Sequence, residues 1–141
     1  LANVMLNAID GKTKRTMTVP CGDVMAQDGN YVQSVAPEFV AIKLGNGAVT
    51  PDMLALDLHA VTVEAPANVT GAQLIARVKE AATKGTMANF TFHGIGGDYL
   101  TVSNEAHEEL LQHLASHPDV YWVDTFLNIM KYVKQQQALS E

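Results

Sequence analysis

Apolar and polar positions change period several times along this chain, and each change marks an element. "TMTVP" (16–20) is short, β-branched and closed by Pro20 and Gly22, which predicts a strand and then a turn. "NYVQSVA" (30–36) predicts a short helix ending before Pro37, and "FVAIKL" (39–44) a mostly apolar strand stopped by "GNG" (45–47). "LHAVTVE" (58–64) alternates as a further strand. The period then lengthens. Thr70 is a fitting N-cap, and Leu74, Ile75, Val78 and Ala82 recur at helical spacing until Gly85. Residues 87–93 alternate again as a strand. Ser103 caps the next helix, with Glu105 placed where a negative charge suits the helix dipole and Ala106, Leu110, Leu111 and Leu114 as the apolar stripe. "DVYWVD" (119–124) predicts a last strand, and Thr125 opens a last helix with Phe126, Ile129, Met130 and Val133 inward. The tail "KQQQALSE" is expected to fray.

Strands alternating with helices predict βαβ units around a mainly parallel sheet, an α/β fold. Ligand sites in such folds lie at the carboxyl ends of the strands, whether the sheet is open or closed into a barrel. His93 ends one strand, Cys21 and Gly22 follow another, and Asp124 ends the last.

Bulk composition narrows the function. The 141 residues make one domain (1–141), and 48% hydrophobic with 17% charged residues describes a globular chain. A net charge of -6, with only "KTKR" (12–15) clustered, argues against a nucleic-acid partner. No apolar run approaches the roughly 20 residues that cross a bilayer, so no membrane partner is expected. The single cysteine excludes an internal disulfide. "LANVMLNAIDGKTKR" lacks the marks of a secretory signal and reads as a chain already in progress, whether a mature protein or a fragment.

Candidate chemistry centres on "NFTFHGIGGDYLTVS" (89–103). An imidazole, with an ordinary pKa of about 6.5, can donate a proton to a leaving amine or alkoxide. Gly96 and Gly97 would let a substrate approach the backbone closely. The competing reading is a structural histidine before a glycine turn. "GIGGD" as a phosphate cradle has neither P-loop nor dinucleotide spacing. His107, His113 and His117 share a helix, and 113 and 117 stand at zinc-site spacing, but without a third ligand nearby in sequence a solvated face is the better reading. Cys21 is a turn residue or a nucleophile. Asp57 could orient an imidazole through a hydrogen bond. Trp122 is core, or the wall of a sugar-sized pocket.

Four stretches together resemble the C-terminal half of the polysaccharide deacetylase (chitooligosaccharide deacetylase homology) family: "TMTVPCGD", "FVAIKLGNG", "FTFHGIGGDYLTVSNEAHEELLQHL" and "DVYWVDTFLNIMKYV". The resemblance implies part of a distorted (β/α) barrel that hydrolyses N-acetyl or O-acetyl groups on carbohydrate with a divalent, zinc-like metal and water. It makes His93 the general acid and the Cys21 amide an oxyanion donor beside Gly22. Asp57 becomes a loose candidate to orient the histidine. Thr18 stands where the family often has Arg, Cys21 where it has Tyr, and Thr91 where it has Leu. Neither "T-F-D-D" nor "H-(S/T)-x-x-H", the metal motifs, occurs in the sequence. The expectation is therefore no metal bound by this chain alone. The implied partner is an acetylated amino-sugar polymer or oligosaccharide, with a missing N-terminal half or a homo-oligomer completing the fold. An extracytoplasmic setting follows from the resemblance only. The alternative is a non-catalytic domain that binds carbohydrate or a protein partner.

Overall fold

The structure, a computed structural model, describes residues 2–27, 29–45 and 47–140. In chain order the elements are α1 (Ala2–Asp10), β1 (Thr16–Thr18), β2 (Met25–Ala26), β3 (Gly29–Asn30), α2 (Tyr31–Val35) and β4 (Ala41–Lys43). There follow α3 (Gly71–Lys84), β5 (Gly94–Ile95), β6 (Thr101–Val102), α4 (Asn104–Ala115) and α5 (Phe126–Leu139).

Parallel pairing organises the core. β1 runs parallel to β4, Lys43 bridges Val61 in the same sense, and Glu64 bridges Phe90. Leu44 N–H donates to Val61 O at 2.8 Å, and Thr91 N–H to Glu64 O at 2.8 Å. The result is one layer of four parallel segments in sequence order, each joined to the next by a crossover. The expected α/β character and parallel pairing are found. The layer stays open, and the two predicted strands 58–64 and 87–93 are reduced to bridges. Residues 57–60 form a turn, closed by Ala60 N–H to Asp57 O at 3.0 Å, because Asp57 accepts from His59 N–H instead of extending the chain.

Side-chain alternation decides which helix covers which face. Ile42 packs with Val19 and Val32 of α2, whereas Ala41, Val61 and Met87 pack with Met130 and Val133 of α5. Ala88, Phe90 and Phe92 turn the other way, onto Leu74 and Val78 of α3 and Ala106 and Leu110 of α4. Glu64 faces that side too, where it pairs with Arg77 of α3. So α2, α3 and α4 cover one face and α5 the other. Helix α3 is specified locally: Thr70 and Gln73 form a capping box, and Gly85 closes it in the left-handed conformation.

Three further expectations are corrected. "DVYWVD" is not a strand: residues 121–125 have no regular structure, with Val120, Trp122 and Val123 more than half exposed. The tail is helical to Leu139, because Gln137 Nε2 donates to Met53 O and Leu56 O at 3.1 and 2.9 Å. Residues 2–10, read only as the start of a continuing chain, form helix α1 with Val4, Met5, Leu6 and Ile9 exposed.

Candidate functional site

Because the four segments are parallel, their carboxyl ends share one edge. β1 leaves that edge through a 3₁₀ turn, Pro20–Gly22, in which Cys21 and Gly22 both take positive φ, 53° and 71°. A non-glycine residue there stores backbone strain of about 1–3 kcal/mol. Gly22 and Asp23 spend their amides inside the turn, on Val19 O and Pro20 O. The Cys21 amide makes no hydrogen bond among the described residues. A Cβ on Gly22 would sit 3.7 Å from Leu44 O, so this turn lies against the carboxyl end of β4.

His93 leaves the same edge three residues beyond Phe90. It is exposed, in a bend immediately before β5, and its ring makes no hydrogen bond among the described residues. Three strand spacings of about 4.8 Å separate its segment from β1, so Cys21 and His93 flank the edge and do not touch. Asp57 is placed elsewhere. It precedes the third segment, and Ile42 N–H reaches Leu58 O, which sets Asp57 at the amino end of the layer. The expectation that Asp57 orients His93 is not met by this arrangement.

The glycines divide the work. β5 and β6 pair in parallel across a five-residue loop, where Gly96 has φ +63° and Gly96 N–H donates to Val102 O at 2.9 Å. A Cβ on Gly96 would meet Asn104 Oδ1 at 2.5 Å, whereas one on Gly97 would meet nothing within 4 Å. Gly96 shapes the turn and Gly97 leaves space. Both line a cleft of about 610 Å³ with Thr70 and Ser103, the N-caps of α3 and α4. Glu105 and Glu109 line it too and oppose an anion, which weakens the phosphate-cradle reading. His93 lines neither this cleft nor the next.

A second cleft, about 660 Å³, opens between α3, residues 86–90, segment 120–124 and α5. Its walls are Met87, Phe90, Tyr121, Trp122 and Tyr132, with Trp122 edge-on to Tyr132 at 5.3 Å. One wall is an unpaired strand edge. Residues 87, 89 and 91 direct their backbone bonds to segment 48–50 and to Glu64. By alternation the N–H and C=O groups of 88, 90 and 92 face the opposite way, with no backbone partner among the described residues. Asp124 sits at the cleft rim. Hydrogen bonds from the Asn128 amide and from Thr125 N–H hold its carboxyl below the usual range.

Two features escaped the sequence reading. Lys43 is half-buried over the Phe126 ring, 4.7 Å from its centroid, and burial lowers its pKa. His113 is not on a solvated face: it is half-buried, with Nε2 3.1 Å from Tyr121 Oη. Spacing along a helix could not have revealed a partner beyond the helix end.

Among the described residues no three His, Cys, Asp or Glu side chains gather as a metal site. The resemblance makes His93 the general acid and draws the metal ligands from motifs that do not occur in this sequence, so no residue here is assigned to hold that metal. No family model, curated protein or solved structure matches the chain.

Proposed function

We propose that this chain is the C-terminal part of a metal-dependent carbohydrate deacetylase barrel, with His93 as the general acid. The observation that carries the reading is the shared edge: the Cys21–Gly22 turn and His93 leave one parallel layer at the same end, in the chain order of the two motifs they resemble. His93, exposed and without an internal partner, would protonate the amine as the carbon–nitrogen bond breaks. The Cys21 amide would stabilise the developing oxyanion only where barrel closure brings it to the same bond, since three strand spacings separate it from His93 in the open layer. The metal ligands and the base would come from residues outside this chain, since the motifs that supply them do not occur in it. A closed barrel would turn inward the face that α5 now covers, so the reading requires α5 to give way when further strands are added.

The test is acetate release from an acetylated chito-oligosaccharide by the natural protein containing these residues, with Zn²⁺ supplied. His93→Ala should lower turnover by about 10²–10⁴-fold. Unchanged turnover, or a wild-type protein that releases no acetate, contradicts the proposal.

One observation favours a second reading, a non-catalytic carbohydrate-binding domain. The aromatic wall of Tyr121, Trp122 and Tyr132 lies on the 660 Å³ cleft and not beside His93. Oligosaccharide binding that is lost in Trp122→Ala, kept in His93→Ala and accompanied by no acetate release would make this the function.

A further inference from the structure

The C-terminal end of α4 gathers three aromatic side chains with ligand atoms. The ring centroids of His113 and His117 lie 4.5 Å apart, those of His113 and Tyr121 5.4 Å, and those of His117 and Tyr121 6.3 Å. Backbone bonds hold the turn that brings them together: His117 N–H donates to Leu114 O, and Val120 and Tyr121 N–H both donate to His117 O.

Nitrogen roles follow from the partners. His117 Nδ1 lies 2.7 Å from His113 O, and a carbonyl oxygen only accepts, so Nδ1 carries the proton. That leaves Nε2 as the lone-pair nitrogen of the neutral ring. Histidines that bind metals are commonly held this way, with the remote N–H on a backbone carbonyl fixing tautomer and ring direction. His113 Nε2 and Tyr121 Oη are 3.1 Å apart. Two ligands of a tetrahedral ion, each about 2.0–2.1 Å from it, stand roughly 3.3 Å apart, so this pair needs little movement to admit one. Lys79 is a nearby cation that opposes the ion.

We infer that His113, His117 and Tyr121 form a site for one borderline divalent transition ion, Zn²⁺ or Cu²⁺, with two imidazoles and a phenolate as ligands and water in the fourth position. Binding releases the Tyr121 proton to solvent and leaves the oxidation state of the ion unchanged. Its consequence is mechanical. The ion would clip Tyr121, and with it segment 120–124 along the 660 Å³ cleft, to the end of α4. The hydrogen bond between His113 Nε2 and Tyr121 Oη is a looser form of the same clip.

Zn²⁺ titrated into the chain by calorimetry tests this. The expected result is one ion per chain, with Kd of order 1–10 μM and a weakening of about tenfold or more in His117→Gln and in His113→Gln. Zn²⁺ should also raise Tm in the wild type and not in His117→Gln. Cu²⁺ reads the third ligand: a visible phenolate-to-copper charge-transfer band should appear in the wild type and vanish in Tyr121→Phe, which keeps the ring packing. Circular dichroism of each variant separates a lost ligand from a lost fold. Binding only at millimolar zinc, a Kd indifferent to His117→Gln, or a copper complex without the phenolate band would overturn the assignment.

Discussion

The Asn89 side-chain amide donates to the carbonyl oxygen of Thr62 at 3.0 Å, fastening two segments that the backbone joins at only one bridge. Asn89 is one of two buried polar residues among those described. Asn89→Ala leaves the Thr62 carbonyl without this partner in the interior, and should cost about 1–3 kcal/mol. Urea denaturation of the purified chain measures it. A change within experimental scatter would mean that the seam is held by backbone pairing alone.

Gly96 and Gly97 should respond differently to alanine. Gly96→Ala places a side chain in a left-handed conformation and against Asn104, whereas Gly97→Ala points into open space. The expected loss is about 1 kcal/mol or more at 96 and within about 0.5 kcal/mol at 97. Equal effects would contradict the division of roles in this loop.

Met130 is completely buried where α5 meets Ala41, Val61 and Met87. Met130→Ala should cost about 2–5 kcal/mol, as cavities of this kind do. A smaller loss would show that α5 is weakly attached to this face, which is what the barrel reading requires once other strands are present. The same variant therefore reports on how firmly α5 covers the layer.

Helices α3, α4 and α5 were legible because cap and stripe agree: Thr70, Ser103 and Thr125 each accept from the expected backbone amide. Parallel order was legible from the alternation of strand and helix. What lay beyond reach was the partner of each apolar surface. "VYWV" alternates as a strand would, but a strand forms only where an edge accepts it, and here a cleft separates it from the free edge of residues 88–92. The stripe of α5 announced burial without saying which face of the layer it would cover. Helix α1 buries nothing, so no core-facing stripe marks it in the sequence. At the candidate site, His93 and the Cys21 turn were legible as strand ends. The separation of Asp57 was not, since it depends on register between segments far apart in sequence.

Acid should loosen the start of α5. Asp124 is held below its ordinary pKa by Asn128 and by Thr125 N–H, so the folded chain binds that proton less readily than the unfolded one. Its contribution is complete above the unfolded value of about 3.9 and is lost as pH falls through the lower folded value. Between pH 5 and 3 the wild type should lose more stability than Asp124→Asn, followed by urea midpoint. Parallel losses in the two proteins would remove Asp124 from the cap.

The central claim, that His93 hands a proton to the departing group, is tested most directly by changing how much that group needs one. In the natural protein containing this chain, acetate release from an acetylated amino sugar and from an aryl acetate would be compared for wild type and His93→Ala. The amine cannot depart unprotonated and the aryl oxide can, so the variant should lose about 10²–10⁴-fold on the amide and little on the ester. Equal loss on both substrates, or none on the amide, would contradict the account.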